Sequence, residues 1–226
     1  MSFDYQMNSV SEDYFWESRY LGGNMPWDIG EAAPAFVKYF CSGKLQLATT
    51  TILKIAILGC GRGHDAFFLT SIKEGEANEP CFQVYGFDFS RSAIDFCICK
   101  QKKENLKNAD FYRTDFFQLQ NEKRWKGFFD FVIEHTTLCA IDPKRRKEYS
   151  NLISYLLKPK GKLVGLFFIR PIEKGGPPFG MNKNEVEELF SKEFTVLEKP
   201  YIEQCLHKGN LEGEEYFGVF EKKVVK

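Results

Sequence analysis

The sequence lacks a long hydrophobic run. No apolar stretch approaches the roughly 18 residues that a membrane-spanning helix needs. The first residues, MSFDYQMNSVSEDYF, also show no basic segment followed by an apolar one. Both absences argue against insertion into a membrane or export across one. We therefore expect a soluble, cytoplasmic protein without a membrane partner.

An excess of charge of one sign is missing as well. Lys plus Arg and Asp plus Glu each number 31, so the formal net charge is zero. A chain without a net field has little to hold the phosphate backbone of a nucleic acid. We expect no nucleic-acid partner. Because the neutral surface shows no obvious stripe for self-pairing, we also expect a monomer.

Paired cysteines and metal-ligand spacings are absent too. The seven cysteines are scattered without a C-x-x-C pair, and the three histidines stand far apart. A scattered set of this kind is typical of reduced thiols in a cytoplasmic protein. No spacing matches a metal site. We predict a metal-free site, with His64 serving only to cap or pack at the start of a helix.

The sequence does contain a glycine-rich turn directly after an apolar run. Residues 52–65 read ILKIAILGCGRGHD, with glycines at Gly59, Gly61 and Gly63. This pattern predicts a buried strand, a tight turn and the start of a helix. Glycines let the backbone turn at positive φ and approach a ligand, and a helix start offers unpaired N–H groups. The turn predicts a site for a nucleotide-like ligand.

Strands and helices alternate from residue 52 onward. Strands are predicted near 53–58, 82–87, 109–113, 128–134 and 162–169, and helices near 64–73, 90–105, 143–157 and 182–191. Two more strand-like runs, 193–203 and 214–223, flank a turn rich in glycine and charge and predict an antiparallel C-terminal edge. Such alternation predicts an α/β fold: a mainly parallel, Rossmann-like seven-stranded sheet with helices on both faces. The polar stretch 73–80 reads as a surface loop.

An aromatic segment precedes this core. A helix is predicted over 11–21 with Ser11 as its N-cap, then a Gly- and Pro-rich loop containing PWDIG, then a second helix over 33–42. We predict a single domain, 1–226. Within it, residues 1–45 form a helical aromatic cover over the ligand site and residues 52–226 form the Rossmann-like core.

The glycine spacing narrows the choice of ligand. Dinucleotide-binding turns carry G-x-G-x-x-G, whereas this turn is G-x-G-x-G, the usual form in S-adenosylmethionine-dependent methyltransferases. Asp88 ends the second predicted strand, where its carboxylate can accept both ribose hydroxyl hydrogens; capping the next helix is the alternative, although Ser90 suits that role equally. At the third strand end, Asp115 and Phe116 suit an adenine, and a simple loop start is the alternative.

At these residues the sequence resembles the thiopurine S-methyltransferase superfamily, and within it the plant-type halide/thiol methyltransferases. The resemblance covers almost the whole chain. It is carried by PWDIG, AILGCGRGHD, GFDFS, TDFF, FDFVIEHTTLCAIDPKRR, LLKPKGKLVGL and GGPPF. It implies a class I methyltransferase fold, with S-adenosylmethionine as methyl donor and S-adenosylhomocysteine as product.

The resemblance also implies roles for individual residues. Aromatic faces at Trp16, Tyr20 and Trp27 would surround the positive sulfonium, which cation–π contacts stabilise. The residues expected to bind the cofactor are Trp16, Tyr20, Trp27, Gly59, Gly61, Gly63, Asp88, Phe89, Asp115, Phe116, Glu134 and His135. The residues expected to line the acceptor pocket are Tyr20, His135, Pro177, Pro178 and Phe179. The last three lie in a loop that is expected to act as a lid.

The sequence identifies the methyl acceptor less closely than it identifies the cofactor. Halide/thiol members often carry Asp-Tyr, and thiopurine members Asp-Arg, where this chain has Glu134-His135. The signature that clamps amino acceptors is absent, and a thiol needs less activation than an alcohol or amine. We expect methyl transfer to a small soft nucleophile, with aromatic thiols, thiopurines or selenium compounds as the alternative and a cofactor-binding protein with little catalysis as another.

His135 is the expected catalytic residue, either as a general base or as a positioning group. A purely structural role for its imidazole is the third interpretation. Residues 143–147 read as the solvated start of a helix, although Arg145 or Arg146 could recruit an anionic acceptor.

Overall fold

Residues 9–43, 51–74, 79–203 and 213–224 are described by the computed structural model of the protein. Seven strands in this part of the chain form one sheet in the order β3-β2-β1-β4-β5-β7-β6. Their bounds are β1 Leu53–Leu58, β2 Phe82–Asp88, β3 Ala109–Arg113, β4 Phe129–His135, β5 Leu157–Ile169, β6 Phe194–Glu203 and β7 Glu214–Lys222.

The sheet is parallel except at β7. Strand β1 pairs in parallel with β2 and β4, β2 with β3, and β4 with β5, whereas β7 runs antiparallel to both β5 and β6. This arrangement confirms the predicted mixed α/β fold with an antiparallel C-terminal edge. It also brings the carboxyl ends of β1, β2, β3 and β4 to one edge of the sheet, where open α/β folds bind ligands.

Helices cover both faces because successive strand residues point to opposite sides. On one face Ile57 belongs to the same hydrophobic cluster as Phe36, and on the other Leu58 belongs to the same cluster as Leu152. The helices are α1 Asp13–Leu21, α2 Pro34–Phe40, α3 His64–Ser71, α4 Arg91–Lys103, α5 Arg146–Leu156 and α6 Lys183–Ser191. Among the described residues, none of the helices has the length and apolarity to cross a membrane.

Local sequence explains where the helices beside the site begin. Gly63 adopts the left-handed conformation, with φ of 71°, and α3 starts at the next residue. The Ser90 hydroxyl accepts a hydrogen bond from the Ala93 N–H at 3.1 Å and caps α4. Two turns that join strand to helix are therefore set by residues with short-range conformational preferences.

Some boundaries differ from the predictions. Ser11 does not cap α1, because the N-cap position is Glu12 and the Ser11 N–H donates instead to the Ser9 hydroxyl at 3.2 Å. Strand β5 begins at Leu157 rather than near 162, since Leu157 pairs with Phe129 across an irregularity in β4.

Two of the predicted loops are described only in part. The stretch 73–80 is not entirely irregular, because Lys73–Glu74 and Glu79–Pro80 pair as two-residue antiparallel strands. Residues 75–78 lie outside the described part of the chain. The turn predicted between the last two strands falls largely on residues 204–212, which also lie outside it.

Candidate active site

A cavity of about 260 Å³ opens at the carboxyl ends of β1, β2 and β4. Its wall combines residues of the N-terminal cover with residues of the sheet edge. Ten of the residues predicted for the site line it: Trp16, Tyr20, Trp27, Gly59, Asp88, Phe89, Phe116, His135, Pro177 and Pro178. The predicted residues Gly61, Gly63, Asp115, Glu134 and Phe179 are not part of this wall.

The glycine turn has no room for side chains at two of its positions. Gly59 has a φ of 64°, and a Cβ there would lie 2.7 Å from Oγ1 of Thr137. Gly61 has a φ of 54°, and a Cβ there would lie 3.0 Å from the Tyr20 hydroxyl. Because positive φ already strains other residues, glycine is required here for both conformation and close approach. The turn therefore passes directly beneath the cover.

Asp88 holds this turn from the end of β2. Its Oδ2 atom accepts a hydrogen bond from the Gly61 N–H at 2.8 Å, and its Oδ1 atom accepts one from the Ser90 N–H at 2.9 Å. Burial raises the pKa of Asp88 to about 6, although these backbone hydrogen bonds act in the opposite direction. The carboxylate lines the cavity and helps to hold the α4 start, while Ser90 provides the N-cap.

Three aromatic rings of the cover pack edge to face above the turn. The ring centroids of Trp16 and Trp27 are 5.6 Å apart, and those of Tyr20 and Trp27 are 5.9 Å apart. The Trp16 indole N–H donates to the Val10 carbonyl at 2.9 Å. These contacts hold the three rings in one cluster, and all three line the cavity.

Polar contacts fasten the cover to the core. The Glu17 carboxylate accepts hydrogen bonds from the hydroxyls of Ser90 and Ser92, both at 2.6 Å, and from the Ser92 N–H at 3.0 Å. In the PWDIG loop, Asp28 Oδ1 lies 2.9 Å from Nε2 of His64. The close approach of the His64 imidazole holds the pKa of Asp28 below its usual range. His64, expected to cap or pack at the start of α3, thus ties α3 to this loop.

His135 ends β4 and lines the cavity beside α2 and α3. Its Nδ1 atom lies 2.7 Å from Oδ2 of Asp65, the second residue of α3. Its ring also meets Phe36 edge to face, with centroids 5.5 Å apart. Burial alone lowers the pKa of His135, but the charge and hydrogen bond of Asp65 outweigh it, so the pKa lies above the usual value.

Glu134, which the sequence predicted to bind the cofactor, does not share this environment and does not line the cavity. Neighbouring residues on a strand point to opposite faces, so Glu134 points toward α5. It is fully buried, accepts from the Leu138 N–H at 2.8 Å and makes a short hydrogen bond with the Tyr149 hydroxyl. Burial raises the pKa of Glu134 to about 7.

Asp115 also lies away from the cavity wall. Its Oδ1 atom accepts a hydrogen bond from the Phe117 N–H at 2.9 Å and caps the 3₁₀ turn Phe116–Asn121. This geometry corresponds to the loop-start interpretation of the sequence. The rings of Phe116 and Phe117 line the cavity instead, with centroids 4.8 Å apart.

The loop after β5 is anchored at its far end. The Phe179 N–H donates to the Cys139 carbonyl at 2.7 Å, and the Arg146 guanidinium donates to the carbonyls of Phe179 and Gly180 at 3.2 and 3.0 Å. Pro177 and Pro178 line the cavity, whereas Phe179 does not. The loop thus presents its prolines to the cavity while Arg146 holds its backbone.

Sequence comparison agrees with this arrangement. The family model described as Thiopurine S-methyltransferase (TPMT) matches residues 11–225. The chain belongs to the thiopurine S-methyltransferase family. Membership makes the protein an S-adenosylmethionine-dependent methyltransferase and confirms the resemblance seen in the sequence motifs.

Relatives of this thiopurine S-methyltransferase family member include two plant enzymes. Probable thiol methyltransferase 2 of Arabidopsis thaliana is 29% identical over 175 residues, covering 77% of this chain and 70% of that protein. Thiocyanate methyltransferase 1 of Brassica oleracea is 29% identical over 195 residues, covering 84% and 79%.

A solved structure shares the fold. It is the 1,6-didemethyltoxoflavin-N1-methyltransferase of Burkholderia thailandensis, determined with 1,6-didemethyltoxoflavin and S-adenosylhomocysteine bound. It aligns with a TM-score of 0.65 at 17% identity, covering 94% of this chain and 87% of that one. At this identity the likeness concerns the fold alone.

Sequence reasoning missed part of the site of this thiopurine S-methyltransferase family member. Asp65 had a signal, since it follows the glycine turn in the first helical turn, but its contact with His135 joins residues 70 positions apart. Further wall residues are Val10, Ser11, Arg19, Asn24, Pro26, Phe117, Thr136, Thr137, Cys139, Ala140, Ile141, Asp142, Arg145 and Phe168. In the described ranges, no cluster of three or more His, Cys, Asp or Glu residues is placed to hold a metal ion.

Arg145 is the one of these residues for which the sequence allowed two interpretations. Its guanidinium lines the cavity, pairs with Glu148 at 2.9 and 3.0 Å, and lies 3.5 Å from the centroid of the Phe117 ring. The solvated-helix interpretation is therefore incomplete for Arg145. Arg146 instead serves the loop after β5.

Proposed function

We propose that the protein transfers the methyl group of S-adenosylmethionine to a small soft nucleophile: a thiol, bisulfide, thiocyanate or a halide. The observation that carries this proposal is a single cavity whose wall includes Asp88 and Gly59 together with His135, Pro177 and Pro178. Residues assigned to the cofactor and residues assigned to the acceptor thus line one cavity, which the aromatic rings of Trp16, Tyr20 and Trp27 also line.

The residues at the sheet edge fit the cofactor. Asp88 presents a buried carboxylate that can accept hydrogen bonds from ribose hydroxyls, and Gly59 and Gly61 leave backbone exposed where side chains would clash. We assign Gly59, Gly61, Gly63, Asp88, Phe89 and Phe116 to cofactor binding, with Gly61 and Gly63 acting through the turn conformation. When bound, S-adenosylmethionine supplies a methyl group activated by a positively charged sulfur.

The aromatic cover suits that positive charge. We assign Trp16, Tyr20 and Trp27 to the sulfonium end, where each ring face can contribute about 0.5–2 kcal/mol of cation–π stabilisation. Their edge-to-face packing limits ring movement, and their apolar surface replaces water around a bound sulfonium. In a cavity with few water molecules, attraction between opposite charges is stronger than in bulk solvent.

The acceptor side of the wall favours a small anion. Phe168, Pro177 and Pro178 contribute apolar surface, and the His135 imidazole contributes one polar group. A thiol with a pKa of about 8.5 is already a few per cent thiolate at neutral pH, and thiocyanate is an anion throughout this range. We assign these residues, together with Tyr20, to the acceptor pocket and His135 to acceptor activation or positioning.

A second acceptor class has its own supporting observation. The rings of Phe116 and Phe117, tilted against each other, and the Arg145 guanidinium over the Phe117 ring form an aromatic wall suited to an aromatic ring. An aromatic thiol or thiopurine, or a selenium analogue, is therefore the alternative acceptor.

The cytoplasmic location is also part of the proposal, because the six cysteines within the described residues are all free thiols.

Two measurements test the function. Calorimetry with S-adenosylhomocysteine should show one site per chain, and absence of binding would contradict the cofactor assignment. A labelled-methyl assay should then compare thiocyanate, bisulfide, iodide, thiophenol and a thiopurine. We expect the small anions to react best. Preference for the ring compounds would favour an acceptor bound at the aromatic wall of Phe116 and Phe117, and cofactor binding without any methyl transfer would favour a cofactor-binding protein.

A further inference from the structure

Asp65 is a buried carboxylate with a partner on each oxygen atom. Its Oδ1 accepts a hydrogen bond from the Ala33 N–H at 2.8 Å, and its Oδ2 lies 2.7 Å from Nδ1 of His135. Ala33 is the N-cap residue of α2, so Asp65 joins the cover, the helix after the glycine turn and the end of β4. These contacts fix the orientation of the carboxylate.

The same contacts constrain the imidazole. An ionised carboxylate only accepts hydrogen bonds, so Nδ1 of His135 must carry the hydrogen that lies between them. The ring edge packs against Phe36, which limits rotation. His135 is therefore held with a defined tautomer and orientation while it lines the cavity.

The charges around the ring are mainly negative. Among the described residues, Asp65 from α3 and Glu215 from β7 favour the protonated form of His135, and Glu134 from its own strand adds to this effect where it is ionised, above its raised pKa of about 7. A buried carboxylate is costly unless it is compensated by charge or hydrogen bonds, and imidazolium provides both to Asp65.

We propose that Asp65 is a positioning residue that orients His135 through Nδ1 and supplies the negative charge that lets the imidazole hold a proton against the methyl acceptor. The idea rests on the proposed function for its consequence in catalysis. An anionic acceptor meets an imidazolium rather than a neutral ring, and the ring keeps its proton throughout. For a neutral thiol, the proton is released to solvent before the thiolate binds.

The contact itself can be tested without any reaction. The chain has three histidines, so ¹⁵N-histidine labelling and a comparison with His135→Gln identify the His135 signals. In Asp65→Asn the His135 midpoint should fall by about one pH unit or more. Asp28→Asn, which removes the contact to His64, is the matched control and should leave the His135 midpoint in place. An unchanged midpoint in Asp65→Asn would overturn the proposal.

The catalytic consequence is tested with thiocyanate, whose charge does not change over the assay range. With S-adenosylmethionine kept saturating at every pH, the wild-type kcat/KM for thiocyanate should be retained below the His135 pKa and should decline as the pH rises through it. In Asp65→Asn that decline should begin at lower pH, and kcat/KM at neutral pH should fall about tenfold or more. Asp65→Glu should restore part of the loss, and Asp28→Asn should keep the wild-type pH limb.

Controls separate this idea from the proposed function. Each variant is first titrated with S-adenosylhomocysteine, and retained affinity shows an intact fold and cofactor site. If the wild type transfers no methyl group to any acceptor, the proposed function fails, whereas the histidine titration still decides whether Asp65 governs His135. An identical pH limb in Asp65→Asn and wild type would refute the catalytic part.

Discussion

Asp88 holds two parts of the protein together beside the cavity. Its two oxygens accept the Gly61 and Ser90 N–H groups, so the residue holds the glycine turn and the start of α4 at the same time. A carboxylate has about four acceptor positions, which leaves capacity for ribose hydroxyls. A change at Asp88 is therefore expected to alter both the conformation of the glycine turn and the affinity for the cofactor.

Replacing Asp88 with Ala should lower the affinity for S-adenosylhomocysteine by about 10–100-fold, because hydrogen bonds to a charged group contribute about 1.5–3 kcal/mol each. Calorimetry measures the change, with the exposed Asp110→Ala on β3 as control. Since burial raises the pKa of Asp88 to about 6, wild-type affinity should fall as the pH drops through this value. Affinity that is unchanged in Asp88→Ala contradicts the role.

Glu134 predicts a pH dependence of stability. Burial raises its pKa from 4.5 to about 7, so its stabilising contribution is complete below pH 4.5 and is lost as the pH rises through about 7. Glu134→Gln cannot ionise. Its free energy of unfolding relative to wild type should therefore rise with pH, by up to roughly 3 kcal/mol. Denaturant unfolding at acidic and alkaline pH tests this, with exposed Glu104→Gln as control; a pH-independent difference would rule it out.

At the scale of elements, α1 is fastened to α4 by one carboxylate. Glu17 meets the N-terminal end of α4, where a negative charge is favoured by the helix dipole and by the free N–H groups. Burial alone would raise the pKa of Glu17, but the hydrogen bonds from Ser90 and Ser92 outweigh it and leave the pKa lowered. The cover is thus attached next to Asp88.

Glu17→Gln should loosen the cover, because it replaces charge-assisted hydrogen bonds with neutral ones at a cost of about 1 kcal/mol. Amide hydrogens of α1 should exchange faster than in the wild type, while those of α5 should not change. The exposed Glu12→Gln is a matched control, since Glu12 makes no capping hydrogen bond. Equal exchange in both variants would show that Glu17 does not fasten α1.

The loop after β5 has a comparable anchor in Arg146. Arg146→Lys removes the planar donor pair that reaches the carbonyls of Phe179 and Gly180. We expect a severalfold higher KM for the acceptor with unchanged affinity for S-adenosylhomocysteine. Steady-state kinetics and calorimetry give both values, with the exposed Arg124→Lys as control. A change confined to cofactor affinity would assign Arg146 to the other side of the cavity.

At the scale of the whole molecule, described residues from distant parts of one chain line a common cavity. Cover, glycine turn, His135 and the loop after β5 all line the same cavity. We therefore predict an active monomer, and light scattering should give a mass near 26.2 kDa. A mass of twice this value would point first to the edge strand β6, where Val196, Leu197 and Ile202 are exposed.

Much of this molecule follows from local sequence properties. Strands alternate with helices because apolar runs and helix starts recur along the chain, and that pattern determines the α/β class. The glycine turn is equally local, because positive φ at Gly59 and Gly61 depends on the residue itself. Motifs near the strand ends located the cavity for the same reason, since parallel strands bring their carboxyl ends to one edge.

Only the tertiary structure decided which side chains meet. Glu134 and His135 are neighbours in the sequence, yet they point to opposite faces of the sheet. Glu134 contacts Tyr149, and His135 contacts Asp65. The Asp115 carboxylate accepts a hydrogen bond from the nearby Phe117 N–H, whereas Arg145 lines the cavity. Such outcomes depend on which helix covers each face of the sheet and on contacts between residues far apart in the chain. The spacing of the glycines and of the strand-end residues determined where the cavity lies, whereas packing across the sheet decided which side chains meet in and beside its wall.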